Sequence, residues 1–305
     1  MIALVGSLNM DLIIRVEQFP RAGETLYGRD FRTACGGKGA NQAYAVARMG
    51  GQACMIGCVG ADDFGEAMLA NLQGVGVDTT GVLNRKDAPS GVALITLDAD
   101  GQNQIIVAAG ANATLSAADV AAASDVLRRA KAVIVQLETT LPAAEAALRI
   151  ARQAGVMTVL NPAPYAPISD DLLALCDFVI PNESEASKLV GLDVRDVDTA
   201  RMASAALKAR GARNVLVTLG AQGVWVDAES YTGHMPAYVV KPVDTVAAGD
   251  AFIGAFVTRL CGGAKLHEAT QFGCAASAIA VTRPGAQPSI PTREEALALM
   301  QGREK

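Results

Sequence analysis

Aromatic side chains, histidine and long apolar runs are all scarce in this sequence. Aromatic residues make up 4% of the chain, there are 2 His, and Lys+Arg total 26 against 31 Asp+Glu, a net charge of −5. So few histidines argue against His-rich metal centres and His-driven catalytic triads. Without a cationic surplus, no nucleic-acid partner is expected. No apolar run reaches the roughly 18 residues of a membrane span, and the amino terminus lacks signal-peptide features, so no membrane partner is expected.

The 6 cysteines contain no CxxC pair and stand mostly in apolar surroundings. This usage is typical of reduced thiols, so we expect a cytoplasmic protein. Hydrophobic residues, in contrast, are plentiful, at 51% of the 305 residues. No repeat or Pro/Ser-rich linker divides them, so one domain over residues 1–305 is predicted.

Short apolar runs rich in β-branched residues alternate with Ala/Leu-rich stretches of helical period. The runs are almost continuously apolar, as strands covered on both faces are. The predicted strands are 2–5, 132–137, 157–160, 178–180 and 214–219, and the predicted helices are 39–49, 66–72, 117–129, 142–153, 183–189, 199–208 and 249–260. This alternation predicts an α/β fold with a mostly parallel central sheet and helices on both faces.

Two pairs of segments break the alternation and have the pattern of antiparallel strands. They are 12–16 with 27–33, and 91–97 with 104–107, the second pair turning over the sequence DADG at 98–101. They define a small antiparallel sheet, the β lid, inserted from about 11–35 and 90–109. The pattern leaves two interpretations equally open. The strands form a cover over the carboxyl edge of the central sheet, or they are only an addition at the edge of that sheet.

The segment from Asp244 to Asp250, DTVAAGD, leads directly into a predicted helix. Its small residues allow backbone to approach a ligand, and the free N–H groups of a helix start attract anions. Asp250 on its own is equally suited to stabilising the first helical turn. A second acid six residues earlier and the small residues between them favour an anion-binding loop.

A second small-residue segment, CGGKGANQA, covers residues 35–43. Its glycines allow a polyhydroxylated ligand to reach backbone amides, and Lys38 and Asn41 can donate directional hydrogen bonds. The segment is not a Walker A loop, because Lys38 is followed by Gly rather than Ser or Thr. Taken alone, it is equally consistent with a tight strand-to-helix connection.

These segments and several others resemble the motifs of the PfkB carbohydrate kinase family. Residues 6–11 (GSLNMD) are similar to the end of its sugar-binding strand, residues 36–43 to its first signature and residues 244–250 to its second. Four further matches follow in the family's order and spacing: LNPAP at 160–164, PNESE at 181–185, TLGAQG at 218–223 and GAQPS at 285–289. The resemblance runs essentially end to end and is greatest with members that phosphorylate ribose. It implies the family's three-layer α/β fold.

The resemblance implies ATP-dependent phosphorylation of D-ribose at O5, which gives ribose 5-phosphate and ADP. The carboxylate that ends the second signature, here Asp250, would be the general base. The amides of Ala247, Ala248 and Gly249, with that of Asp250, would form the anion hole. The implied sugar-binding residues are Asn9, Met10, Asp11, Gly37, Lys38, Gly39, Ala40, Asn41, Glu138 and Asp250.

The family's nucleotide and metal sites map onto the second half of the chain. The implied nucleotide-binding residues are Asn182, Thr218, Leu219, Gly220, Ala221, Gln222, Gly223, Gly249, Asp250 and Cys274. Glu185 would hold Mg²⁺ through water. A K⁺ site would take the Asp244 carboxylate, the carbonyls of Val246, Ala280, Arg283 and Gly285, and an oxygen of Ser289. The sequence departs from the family at Ala247, where many members have Gly, and Cys274 stands where relatives contact adenine.

In the family, strands such as those of the β lid close over the sugar and often pair across a homodimer, and the same is expected here. A related kinase for 2-deoxyribose, a hexose or a nucleoside remains an alternative. A non-catalytic sugar sensor is a second, although neither the base nor the anion loop is lost. A nicotinamide-dependent dehydrogenase is excluded, because GSLN rather than GxGxxG follows the first strand.

Overall fold

The computed structural model describes residues 1–99 and 102–303, which form alternating strands and helices. The strands are β1 Ile2–Val5, β2 Asn9–Arg15, β3 Arg29–Gly36, β4 Ala53–Gly60, β5 Asp78–Arg85, β6 Gly91–Leu97, β7 Asn103–Ala108, β8 Ala132–Val135, β9 Met157–Leu160, β10 Phe178–Val179, β11 Asn214–Thr218, β12 Val224–Ala228 and β13 Tyr231–Met235. The helices are α1 Lys38–Arg48, α2 Asp63–Gly74, α3 Ala117–Ala122, α4 Ser124–Arg129, α5 Leu141–Gln153, α6 Asp170–Ala174, α7 Glu183–Val190, α8 Val197–Ala209, α9 Ala248–Cys261, α10 Leu266–Ala280 and α11 Arg293–Arg303.

The central sheet of the described chain has 9 strands in the order β13-β12-β11-β10-β9-β8-β1-β4-β5. The strands from β11 to β5 are parallel to one another, whereas β12 and β13 join the edge in antiparallel pairing. The prediction of a mostly parallel sheet is confirmed. The predicted helix 117–129 is divided at Ala123 into α3 and α4.

Both faces of the central sheet are buried, as the apolar strands predict. In β1, Ile2 and Leu4 contribute to one hydrophobic core and Ala3 and Val5 to the other. The first, the main hydrophobic core, includes apolar residues of α1, α9 and α10, and the second includes those of α5 and α8. The helices therefore cover both faces of the sheet, and this three-layer arrangement confirms the predicted fold class.

The second sheet, in the order β3-β2-β6-β7, is the β lid. The pairs β2–β3 and β6–β7 are antiparallel, as predicted, while β2 and β6 pair in parallel along the whole of β2. Ile13, Ala93 and Ile95 form a small core of its own on one face. The predicted turn at 98–101 includes Asp100 and Gly101, which lie outside the described residues.

The close packing of α9 on α1 places two parts of the site side by side. A side chain at Gly254 of α9 would put its Cβ 2.4 Å from the Ala45 Cβ and 3.1 Å from the Gln42 carbonyl oxygen of α1. Only glycine permits this approach of the two helices. Asp250 stands one helical turn before Gly254 and therefore faces the same side of α9, toward the start of α1.

Candidate active site

A cavity of about 350 Å³ lies where the carboxyl ends of the central strands meet the β lid. This is the edge at which parallel α/β sheets bind ligands. The predicted site residues that line it are Asn9, Asp11, Gly37, Lys38, Asn41, Glu138, Asn182, Glu185, Thr218, Val246, Ala247, Ala248, Gly249 and Asp250. Its remaining lining residues are Ala93, Ile95, Ile105, Val107, Asn161, Ala163, Ile180, Thr245 and Ile253. Residues from six of the seven sequence motifs therefore border one cavity, and the motif at 285–289 contributes none.

Asp250 is buried at the wall of this cavity and is held by the start of α1. Its Oδ2 accepts a hydrogen bond from Asn41 Nδ2 at 2.9 Å, and its Oδ1 accepts one from Gln42 Nε2 at 2.9 Å. Each carboxylate oxygen has a second lone pair, which these contacts leave unused. The carboxylate can therefore accept a further proton or hydrogen bond from a ligand in the cavity.

Burial raises the pKa of Asp250, while the charge of Lys38 and the hydrogen bonds from Gln42 and Asn41 oppose this effect. Burial in turn lowers the pKa of Lys38, but the charges of Asp250, Glu138 and Glu185 outweigh it and leave that pKa raised. Lys38 thus remains an ammonium among three carboxylates. A base of raised pKa beside a fixed cation suits proton abstraction near neutral pH.

Asp11 and Glu138 place two more carboxyl groups on the cavity wall. Glu138 Oε2 accepts hydrogen bonds from Ser7 Oγ at 2.5 Å and from the Lys38 backbone N–H at 3.0 Å. Burial, followed by the charges of Glu138 and Asp250, raises the pKa of Asp11 to about 7. Carboxylates are acceptor-only groups, so this wall suits a ligand that offers several hydroxyl donors.

Gly37 shapes the backbone beneath these carboxylates. It has a φ of 88°, in the left-handed region, and a Cβ there would lie 2.7 Å from the Asn9 backbone nitrogen. Of the other predicted sugar-binding residues, Met10 points its side chain into the main hydrophobic core, since neighbours along a strand face opposite sides. Gly39 and Ala40 are buried within the first turn of α1.

The first turn of α9 supplies the predicted anion-binding backbone. Ala247 precedes the helix in the left-handed conformation, with a φ of 59°, which is strained for a residue with a Cβ. Ala248 N–H donates to the Thr245 carbonyl at 3.3 Å. The N–H groups of the first helical turn have no partner inside the helix, so those of Gly249 and Asp250 are available to an anion.

The predicted nucleotide side begins with Asn182 and Glu185. Asn182 caps α7: its N–H and Nδ2 donate to the two oxygens of Glu185 at 2.9 and 3.1 Å, and its Oδ1 accepts the Glu185 N–H. Burial raises the pKa of Glu185. Thr218 pairs with Asn182 across the strand ends and is followed by residues 219–223, a turn closed by the Leu219 N–H to Gly223 carbonyl bond at 2.7 Å.

Cys274, the predicted adenine contact, lies in α10 and belongs to the main hydrophobic core. Together with residues 219–223 it stands outside the lining of the cavity. The structure therefore brings together most of the residues that were predicted to bind sugar and phosphate, while these predicted nucleotide residues lie apart from that set.

Asp244 ties two loops together behind the anion-binding backbone. Its Oδ1 accepts the Val246 N–H at 3.0 Å and its Oδ2 accepts the Gly285 N–H at 2.9 Å. Ser289 is buried and its Oγ donates to the Ala286 carbonyl, while the Ala280 carbonyl accepts the Arg283 N–H. The Asp244 side chain thus connects the loop before α9 with the loop after α10, and the ligands predicted for K⁺ here are all oxygen atoms.

Two buried amides at this site, Gln42 and Asn161, were not among the predicted site residues. Gln42 Nε2 donates to Asn161 Oδ1 at 3.1 Å as well as to Asp250. Both residues stand in segments that resemble family motifs, at 36–43 and 160–164. Their place in these motifs is the signal by which the sequence could have indicated them. Their shared role becomes visible only when the partners in space are known.

Comparison with known proteins identifies the family of the chain. The family model for the pfkB family carbohydrate kinases matches residues 1–293. The chain belongs to this family. It is therefore a carbohydrate kinase, and the predicted kinase activity is confirmed at that level.

Individual relatives give a finer view of the family. The ribokinase of Haemophilus influenzae is 41% identical over 300 residues, which cover 98% of each chain. The deoxyribokinase of Salmonella typhi is 37% identical and covers 96% of each. The structure described as Arabidopsis thaliana ribokinase complexed with ribose and ATP superposes with a TM-score of 0.91 at 31% identity and covers 98% of each chain. The ribokinase-like fold is thus confirmed for this kinase.

Within residues 1–99 and 102–303, no helix is both long and apolar enough to cross a membrane.

Proposed function

We propose that this kinase is a ribokinase, which transfers the γ-phosphoryl group of ATP to the 5-hydroxyl of D-ribose. One observation carries the proposal: the Asp250 carboxylate stands at the first turn of α9 and shares its cavity with Asn9, Asp11 and Glu138. A proton acceptor, anion-binding amides and a wall of hydroxyl acceptors therefore border one space. The full-length similarity to ribokinases supports the same sugar.

In the proposed reaction the proton of the 5-hydroxyl passes to Asp250. The hydroxyl oxygen forms a bond to the γ-phosphorus as the bond from that phosphorus to the bridging oxygen of ADP breaks. The free N–H groups at the start of α9 and the Lys38 ammonium stabilise the charge on the migrating phosphoryl group. The products are ribose 5-phosphate, ADP and a proton.

The nucleotide is assigned to the side of the cavity bordered by Asn182 and Thr218, with residues 219–223 and Cys274 beyond it. Mg²⁺, when bound, neutralises charge on the phosphates. Both oxygens of Glu185 already accept hydrogen bonds from Asn182, so the lone pairs that remain suit contact with the ion through water. The backbone N–H groups of Ala247, Ala248, Gly249 and Asp250 then contact the phosphoryl group, while the Asp250 carboxylate takes the proton of the acceptor hydroxyl.

The experiment is a panel of acceptors with ATP and Mg²⁺, read out by ADP release, with the product's phosphorylated oxygen located by NMR. We expect kcat/KM for D-ribose to exceed that for 2-deoxyribose by roughly tenfold or more, because the missing hydroxyl leaves a buried acceptor unpaired. A higher kcat/KM for 2-deoxyribose would favour the second candidate, a deoxyribokinase, which the similarity to the Salmonella typhi enzyme supports. A hexose or a nucleoside as best acceptor would overturn both.

A monovalent cation, K⁺, is proposed at the Asp244 group. The ion would lie among the Asp244 carboxylate, the carbonyls of Val246, Ala280, Arg283 and Gly285, and Ser289, and it would stiffen the loop that leads to α9. Replacing KCl by tetramethylammonium chloride at constant ionic strength is expected to lower kcat by roughly tenfold. Asp244→Asn is expected to remove this cation dependence. A kcat that is equal in the two salts would contradict the proposal.

The β lid is proposed to cover the bound sugar and to mediate a homodimer in the cytoplasm. Ala93, Ile95, Ile105 and Val107 already face the cavity and can exclude water from it. Ile106 lies between Ile105 and Val107 in β7, so its side chain points to the opposite face of the β lid, where it is 68% exposed. Phe31 of β3 is 65% exposed. Sedimentation velocity of the native chain and of Ile106→Lys tests the dimer: we expect the variant to be a monomer that retains its fold.

A further inference from the structure

A connected set of side-chain amides, those of Gln42, Gln136 and Asn161, lies beside the Asp250 carboxylate. At its centre is Gln42, which is completely buried. Its Nε2 donates to Asp250 Oδ1 at 2.9 Å and to Asn161 Oδ1 at 3.1 Å, while its Oε1 accepts from Gln136 Nε2 at 2.6 Å. All the hydrogen-bonding atoms of the Gln42 amide are therefore engaged.

The direction of these hydrogen bonds is determined by the backbone carbonyl at one end of the set. Asn161 Nδ2 donates to the Ile180 carbonyl at 3.0 Å, and a carbonyl can only accept. Asn161 must therefore turn its Oδ1 toward Gln42, and Gln42 must turn its Nε2 toward Asn161 and Asp250. The opposite orientation of the Gln42 amide would place its one oxygen against the oxygens of Asn161 and Asp250.

Gln42 and Asn41 hold the same carboxylate but differ in their access to ligand. Asn41 lines the cavity, so a sugar hydroxyl can compete for its amide. Gln42 and its partner Gln136 are absent from the cavity lining, whereas its other partner, Asn161, borders the cavity. The hydrogen bond from Gln42 to Asp250 is therefore out of direct reach of a sugar in the cavity.

We propose that Gln42 is a positioning residue for phosphoryl transfer: braced by Gln136 and Asn161, it keeps the Asp250 carboxylate in the rotamer that faces the acceptor hydroxyl. The inference rests on the proposed role of Asp250 in the function above. In this role Gln42 contacts neither ribose nor ATP. A general base displaced by even a fraction of an ångström loses much of its effect, so the brace acts on turnover rather than on binding.

The brace also has a consequence for pH. The charged groups that act on Asp250 are Lys38, which favours its ionised form, and Glu138, which disfavours it; Asp11 and Glu185 carry further negative charge on the same cavity. The hydrogen bond from Gln42 is stronger to the ionised carboxylate than to the protonated acid, so it lowers the pKa of Asp250 against the effect of burial. Without this donor the pKa rises, so the base is protonated up to a higher pH.

The test is Gln42→Met, which keeps the length of the side chain and removes its donor. We expect kcat with D-ribose to fall by roughly 10–100-fold, while KM for ribose and for ATP changes by less than about threefold. The acid limb of the kcat–pH profile is expected to move upward by about one pH unit. Gln153→Met, at an exposed glutamine that ends α5, is the matched control and is expected to retain the native profile.

A double-mutant cycle with Gln136→Met tests the brace itself. Gln136 reaches Asp250 only through Gln42, so its substitution is expected to lower kcat in the native background and to have no further effect beside Gln42→Met. If Gln42→Met does not fold, as judged by thermal unfolding, Gln136→Met alone must lower kcat and move the acid limb. An unchanged kcat, a loss confined to KM, an unmoved acid limb or additive effects would each overturn the inference.

Failure of the proposed function has a different signature. If the native chain prefers another sugar, ribokinase is the wrong assignment, and the same kcat and pH comparisons with that sugar still decide the role of Gln42. If the native chain turns over ribose and Gln42→Met does so equally well, only the inference about Gln42 is wrong.

Discussion

Asp250→Asn is expected to lower kcat by about 10²–10⁴-fold, the usual contribution of a general base, while ribose and ATP still bind. The substitution preserves size and removes the proton acceptor. Anion-binding N–H groups at the start of α9 belong to the backbone and are retained, so the remaining catalysis comes from positioning and charge stabilisation. Steady-state ADP release at saturating ribose and ATP measures kcat, and isothermal titration calorimetry measures both dissociation constants.

Asp198→Asn provides the control for this variant, because Asp198 is an acid in the first turn of α8 whose side chain is 88% exposed. We expect it to have native kcat and affinities. Turnover by Asp250→Asn within a fewfold of the native enzyme would refute the assignment of the base. Loss of ribose binding together with turnover would instead show that Asp250 acts chiefly in recognition.

Asp11→Asn is expected to weaken ribose binding by roughly 10–100-fold and, at the same time, to stabilise the ligand-free chain at alkaline pH. The first effect follows because a neutral amide offers the sugar hydroxyls a weaker acceptor and a misplaced donor. The second follows from the cost of ionising Asp11, whose pKa is about 7 as a result of burial and the charges of Glu138 and Asp250. Recognition and stability therefore oppose each other at this residue.

The sign of the pH effect follows from proton linkage. Between the ordinary pKa of 3.8 and the folded value of about 7, the folded chain holds a proton that the unfolded chain has lost. Stability from this group is thus fully present below pH 3.8 and is lost as the pH rises through 7. The variant lacks the titration, so its Tm is expected to exceed the native Tm by a few degrees at pH 8 and to match it near pH 4.

Differential scanning calorimetry of the ligand-free chains at the two pH values measures this difference. Asp193→Asn is the control, since its side chain is 80% exposed. We expect its Tm to follow that of the native chain at both values. A Tm for Asp11→Asn below the native value at pH 8 would show that the Asp11 carboxylate is stabilised in the folded chain and would contradict the prediction.

The fold class could be predicted because its signals are local. The runs at 2–5 and 157–160 are continuously apolar, and the structure contains β1 and β9 at those positions. β4, in contrast, was missed: glycines at 57 and 60 interrupt its apolar pattern, and its strand conformation comes from pairing with β1 and β5. The Ala-rich α10 was also missed, because its burial against α9 is a tertiary effect.

The candidate site likewise contains residues that could be predicted from the sequence and residues that could not. Asp250 and Lys38 lie in motifs that carry their own chemistry, so their presence at one cavity could be anticipated from the resemblance. Gln42 could not be assigned a role, because its partners Asn161 and Asp250 stand 119 and 208 residues along the chain. Cys274, which the resemblance connects with adenine, lies in the core beyond the cavity lining, so its effect on the nucleotide stays a prediction.

The parallel pairing of β2 with β6 has a consequence for biosynthesis. Asn9 of β2 pairs with Gly91 of β6, and the Asn112 side chain, emerging later still, binds both Leu8 and Asn9. A nascent polypeptide on the ribosome therefore presents β2 with an unsatisfied edge until translation has passed β6.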